Sequence, residues 1–212
     1  MGYMASKIKC SAILVFAISS TVISYGDTTA KSWQHGFEPG EVMWGGYTPP
    51  DNMGCRGHVS ISKSAAHTGE YGAIVTSSGF GRFGLYPKTP AVPVQPGARY
   101  RMSIWLKAEP GFAMENNLSG AFLRVTLFDA DKKDHAGGHI YIGLKGVSIG
   151  SADALGGVIV PDAWTHLQGV FEIPAGAQTM RPFLFIHRAN GNLLVDDFAI
   201  ELVDASTPLT NS

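Results

Sequence analysis

The sequence predicts an all-β fold, a β-sandwich or jelly roll, and three observations lead there. Charged residues make up only 16% of the 212, while Gly numbers 26 and Pro 12, the composition of many short strands with short connections. Runs with period-two alternation recur along the chain, each bounded by Gly, Pro, Asn or Asp. No segment carries the apolar spacing of an amphipathic helix. Hydrophobic residues at 45% suffice for a core and exclude wholesale disorder. A formal charge of −1 offers no basic field, which argues against nucleic acid as the main partner.

The first thirty residues stand apart from the fold. Lys7 and Lys9 precede an apolar run and then small residues, the pattern of a secretory signal peptide over residues 1–26. Cleavage after Gly26 fits the small-residue rule, with 24–30 as the range of the boundary. The run falls short of the ~20 apolar residues that cross a bilayer; an uncleaved anchor is the alternative. The expected location is therefore secreted, periplasmic or extracellular. Cys10 leaves with this segment and Cys55 remains alone, so the exported domain has no internal disulfide. Another device must tie the chain together.

Nine strands are expected in order: His58–Lys63, Tyr71–Ser77, Phe83–Thr89, Arg99–Glu109, Ala121–Asp129, His139–Leu144, Trp164–Ile173, Pro182–Arg188 and Leu193–Val203. Asp131–Asp134 and Ala189–Asn192 read as hairpin turns. Met114–Ser119 and Gly150–Gly157 read as longer loops. A single domain over 31–204 ends in a polar, flexible tail over 205–212.

Alternation within three strands separates two faces. Tyr100, Met102, Ile104 and Leu106 share a side, as do Leu123, Val125 and Leu127, and Ile140, Ile142 and Leu144. Their opposite sides carry Arg101, Ser103, Trp105 and Lys107; Phe122, Arg124, Thr126 and Phe128; and His139 and Tyr141. A merely solvated face does not need those rings. Either another layer covers them, or they form a ligand face, with rings for stacking and polar groups for hydroxyls. In the last strand, Asp196 shares parity with Phe198, Ile200 and Leu202, which places a carboxylate on the core side. A buried carboxylate must be paired, hydrogen-bonded or metal-bound. Ca²⁺, which takes carboxylates and carbonyls, and hydrogen bonds from a loop's N–H groups are both consistent with it.

Several motif matches carry no function. Gly79–Gly84 satisfies the dinucleotide-binding glycine pattern, but Leu85, Tyr86 and Pro87 follow where a helix is required. Gly146–Gly150 satisfies the nucleophile-elbow pattern without the strand–turn–helix that aims the serine. Asp129, Asp131 and Asp134 lack the glycine and glutamate of a Ca²⁺-binding EF-hand loop. His135 and His139 are spaced for a helix, not a strand.

Four stretches in order resemble carbohydrate-binding modules of the superfamily of families 4 and 9: Gly36–Glu38, Ile61–Ala73, Val94–Tyr100 continuing through Trp105 and Lys107, and Leu194–Phe198. Trp164–Phe171 is similar to the family's penultimate strand, and the match spans roughly residues 33–203. The resemblance implies a galactose-binding-like jelly roll without catalytic machinery and with one structural Ca²⁺. The positions that match the family's calcium ligands are Glu38, the loop beginning at Lys63 and containing His67, and Asp196 or Asp197. Sugar in such modules lies against two or three aromatics on one sheet face or its rim. Phe80, Arg82, Phe83, Tyr86, Trp105, Arg124, Phe128, Tyr141, His187 and Arg188 are the candidates for it. Trp105 also matches a position that is structural in the family.

The expected function is a secreted, non-catalytic module for a polysaccharide or cell-surface glycan, acting alone or attached noncovalently to a secreted enzyme. An envelope or matrix structural protein on the same fold predicts a covered or flat aromatic face. A glycosidase needs two carboxylates about 5–10 Å apart across a cleft, and the strand positions of the expected ligand face hold none.

Overall fold

The computed structural model describes residues 32–49, 54, 56–115, 120–151 and 160–210. The expected signal peptide over residues 1–26, Cys10, Cys55 and most of the two expected longer loops lie outside them. Fourteen strands are present among the described residues: β1 (Ser32–His35), β2 (Trp44–Tyr47), β3 (Arg56–Ser62), β4 (Gly72–Ser78), β5 (Arg82–Pro87), β6 (Val92–Pro93), β7 (Arg99–Ala108), β8 (Ala113–Met114), β9 (Gly120–Phe128), β10 (Ile140–Gly143), β11 (Gly146–Ile149), β12 (Thr165–Glu172), β13 (Thr179–His187) and β14 (Ala189–Val203). A single 3-10 turn follows β3 at Lys63–Ala65, capped by the Ser62 side chain.

These strands form two antiparallel sheets. The first runs β12-β7-β14-β4-β3, with β1 and β8 also on β14; the second runs β11-β10-β9-β13-β5-β2, with β6 on β13. Each sheet turns one face inward. Tyr100, Met102, Ile104 and Leu106 of β7 meet Leu123, Val125 and Leu127 of β9 and Ile140 and Ile142 of β10 in one continuous core, all at 0–1% exposure. Burying each such aliphatic side chain is worth about 1.5–3 kcal/mol. The alternation read from the sequence is therefore the layering of the sandwich, and the all-β jelly-roll expectation holds.

Four details differ from the sequence reading. Ala189–Asn192 is not a hairpin turn. Ala189 and Asn190 pair with β8, and Gly191 and Asn192 pair with β4, so the chain leaves one sheet at Arg188 (φ 50°) and enters the other. Gly146–Ile149, outside the expected strands, is a strand paired residue for residue with β10. The short β1 and β2, rich in Gly, Trp and His, carry no alternation long enough to read. The tail is tied down: Arg99 Nη1 donates to the Thr207 carbonyl at 2.7 Å, and Thr210 exchanges hydrogen bonds with Val170.

The strand β14 organises the first sheet. Its register slips between Asp196 and Ala199, where Asp197 adopts φ 50°, a β-bulge. Before the bulge β14 pairs with β4; beyond it the same edge pairs with β1. The bulge also exchanges the faces: Leu193 and Val195 enter the core before it, Phe198 and Ile200 after it. Asp196 is thus not on the core side. It lies opposite Trp105 on the outer face and is nevertheless fully buried, because the loop that follows the 3-10 turn covers it.

Candidate functional site

Two places gather the residues singled out in the sequence, one on the outer face of each sheet. On the first sheet, the loop 66–71 fills the notch opened by the bulge. Asp196 Oδ2 accepts from the amides of His67 and Thr68 at 2.7 and 3.1 Å, and Oδ1 from its neighbour Asp197 at 2.8 Å. Asp197 accepts from the Thr68 hydroxyl at 2.6 Å and pairs with His67 Nδ1 at 2.7 Å. From the other end of the chain, Glu38 Oε1 accepts from the amides of Glu70 and Tyr71 at 2.8 and 3.1 Å. Lys63 turns its ammonium to Glu70. Glu38, Asp196 and Asp197 therefore converge on the loop that carries His67, and through it the segment following β1 is joined to β14. No group of three His, Cys, Asp or Glu suited to a metal stands among the described residues. Of the three carboxylates, Glu38 and Asp196 already have amide donors, while their remaining lone pairs keep the oxygen chemistry that Ca²⁺ accepts.

Trp105 belongs to this first site, which corrects its assignment to the sugar face. Its ring stacks on His67 at 4.1 Å and on His166 at 4.7 Å, on the sheet opposite the other candidates. Phe83 is likewise corrected: it is 1% exposed within the core, facing Gly46 and Gly57, where an added Cβ would fall 2.7 and 2.3 Å from its ring.

The second site lies on the outer face of the second sheet. Register places Phe185 opposite Phe122, Phe183 opposite Arg124, Arg124 opposite Tyr141, and Arg82 opposite His187. Directly opposed residues share a face, so these side chains form one surface. Phe122 and Phe185 stack at 5.8 Å, Phe183 and Phe185 at 5.6 Å, and Tyr141 meets Phe122 edge-on at 5.6 Å. Tyr86 and Tyr47 extend the band beyond Phe183. The Arg124 guanidinium lies 4.7 and 4.5 Å from the ring centres of Phe183 and Phe185, a cation–π arrangement. At one end of the band a cavity of about 260 Å³ opens, lined by Arg82, Phe122, Arg124, Tyr141, Gly150, Ser151, Phe185, His187 and Arg188.

Five of the sequence candidates, Arg82, Arg124, Tyr141, His187 and Arg188, line that cavity together. Tyr86 shares the face without lining the cavity, and Phe128 sits toward the other end of β9, with Arg181 over its ring. Phe80 is exposed in the turn before β5 and is not part of the lining. Phe183, Phe185 and Tyr47 were not among the candidates; Phe122 was read as a ring of the possible ligand face but not carried into them. The odd parity of Phe183, Phe185 and His187 was a readable signal for three positions of this face; Tyr47 lies in a stretch without alternation.

Burial lowers the pKa of Arg124, and Arg82 acts in the same direction against Tyr141, Tyr47 and Asp134. The Arg124 Nε is buried without a hydrogen-bond partner. Burial likewise lowers His139, with Arg124 adding to it, and lowers His166 and His35. In Asp196 burial acts first and raises the carboxyl, against its three amide bonds.

The three histidines set a pH dependence. Their folded values lie below the ordinary 6.5, so the unfolded chain binds more protons between those values and 6.5. Stability therefore falls as pH drops through 6.5. Asp196 acts in the opposite sense in its own window, gaining stability as pH falls through a folded value above 3.8. A lower melting temperature at slightly acidic than at slightly alkaline pH is expected; an unchanged or higher one contradicts it.

No family model matches the chain, and no curated protein matches it. Solved structures do. The CBM22-1 xylan-binding domain of Paenibacillus barcinonensis Xyn10C aligns with a TM-score of 0.52 at 18% identity, over 82% of this chain and 95% of that one. The C-terminal family 22 carbohydrate binding module of Clostridium thermocellum Xyn10B aligns with a TM-score of 0.50 at 16% identity, over 84% and 96%. The family 11 module of Clostridium thermocellum, in complex with a β-1,3-1,4-mixed-linked tetrasaccharide, aligns with a TM-score of 0.50 at 12% identity, over 81% and 96%. The likeness reaches the jelly roll that these carbohydrate-binding modules share, and does not single out families 4 and 9.

Proposed function

We propose that the chain is a secreted, non-catalytic carbohydrate-binding module that holds a polysaccharide on the outer face of its second sheet. The observation that carries this reading is the cavity at the end of the aromatic band. Tyr141 and Phe122 offer rings for sugar faces, and Arg82, Arg124 and His187 offer donors for hydroxyls. Solved structures of the same fold include a xylan-binding domain and a module in complex with a β-1,3-1,4-mixed-linked tetrasaccharide, which supports the same class of ligand. The lining holds no Asp or Glu among the described residues, so it lacks the carboxylate pair of a glycosidase. A structural protein without sugar binding called for a flat or covered face, and the depression favours the module. Export through residues 1–26 and noncovalent attachment to a secreted enzyme belong to the same proposal. Affinity electrophoresis and calorimetry on a panel of plant and bacterial polysaccharides test it; absence of binding to every polymer overturns it.

A structural Ca²⁺ belongs to this proposal separately from the sugar. Glu38 and Asp196 would hold it, with the loop between Lys63 and Glu70, and it would add a charged cross-link where amide bonds already join these segments. Calcium predicts a melting temperature that falls in EDTA and recovers in excess Ca²⁺. Indifference to both assigns the tie to the hydrogen bonds alone.

A further inference from the structure

The lining of the cavity is one-sided in charge among the described residues. The whole chain is nearly balanced, with 17 acidic and 16 basic residues. Around the cavity the opposed strand positions hold Phe122, Arg124, Tyr141, Phe185, His187 and Arg82, and none is Asp or Glu; the carboxylate of Asp134 stands farther along the same face, opposite Phe128, and acts on Arg124 from there. Arg82, Arg124 and Arg188 converge on one cavity. Glu115, the carboxylate paired with Arg188, stands 3.8 Å from its Nε, beyond hydrogen-bond reach, and that Nε is buried without a hydrogen-bond partner, as is the Nε of Arg124.

A neutral sugar needs donors and acceptors in mixture; three guanidinium groups supply donors only. Holding a guanidinium away from water costs free energy: burial lowers the pKa of Arg124, and Arg82 adds a smaller push in the same direction. An anion in the cavity relieves it. A guanidinium fork matches the two coplanar oxygens of a carboxylate, and the adjoining rings of Tyr141 and Phe122 suit the sugar that bears it.

We propose that the cavity takes a uronic acid unit, a sugar ring carrying a carboxylate, within an acidic polysaccharide. This rests on the carbohydrate-binding reading and narrows its ligand class. The test pairs polygalacturonate, alginate and glucuronoxylan each with the same polymer after reduction of its carboxyl groups to alcohols, alongside neutral xylan and a sulfated polysaccharide, at low and high salt. At least one uronate polymer is expected to bind at least about tenfold more tightly than its reduced partner. Arg124→Gln and Arg188→Gln are expected to narrow that gap while circular dichroism shows the fold retained. If a variant fails to fold, the polymer pairs on the unaltered protein still decide.

Equal binding of parent and reduced polymers overturns the uronate assignment and leaves sugar binding standing. So does preference for the sulfated polymer, or a gap that both folded variants leave intact. Binding to no polymer, neutral or acidic, overturns both readings.

Discussion

Replacing Asp196 with Ala is expected to cost about 3–5 kcal/mol of stability, because it strips a buried charged acceptor from three amide donors at once. His67, Thr68 and Asp197 lose the partner of their N–H groups, and the side chain is 0% exposed, so water does not take its place without opening the loop. At the 2–4 °C per kcal/mol of a domain this size, the melting temperature falls by roughly 10 °C. Asp196→Asn keeps one oxygen acceptor but turns a donor toward an N–H, and is expected to fall between the native chain and Ala. The effect extends beyond one residue. The loop 66–71 also holds Glu38 and supports the ring of Trp105 through His67. Denaturant unfolding measures the change; an Ala variant within about 1 kcal/mol of the native chain, the net worth of one ordinary hydrogen bond, shows that the loop is held by something else.

How this carboxylate was read from the sequence shows where alternation stops being informative. Counting back from Phe198 by twos put Asp196 on the core side. The bulge at Asp197 inserts one residue, so the parity on its two sides belongs to opposite faces. The burial was right and its cause was not, since a positive φ at a single Asp leaves no periodic trace. The long, regular β7 and β9 were legible because each offers at least three alternations against one core. β1, β2, β6 and β8 were not, because two to four residues hold no period.

The candidate site divides in the same way. Arg124 and Tyr141 were legible as ring and charge on the outer side of clean strands. Trp105 met the same criterion and failed it, because parity places a side chain on a face but does not say which of two sheets owns the face. That assignment depends on pairing: β7 with β12 and β14, β9 with β10 and β13. Pairing is set by contacts distant in sequence. The same limit concealed Phe183 and Phe185, whose strand was recognised but whose neighbours were not.

The division yields a sharp expectation for binding. Tyr141→Ala should weaken the best polysaccharide ligand about tenfold, and Tyr141→Ala with Phe122→Ala about a hundredfold, since aromatic anchors in a recessed site carry most of the affinity. Their rings meet at 5.6 Å on adjacent strands and border the same cavity, so their losses are coupled rather than strictly additive. Neither ring is in the core, whose side of β9 and β10 is Leu123, Val125, Ile140 and Ile142; melting temperature should change little. Trp105→Ala should do the reverse, lowering stability by loosening His67 over Asp196 while leaving affinity intact, because its ring stands on the other sheet. The two phenotypes test the placement of the site independently of which sugar is bound. Loss of affinity in Trp105→Ala, with Tyr141→Ala unaffected, would move the binding face to the first sheet and reassign the cavity to a structural role.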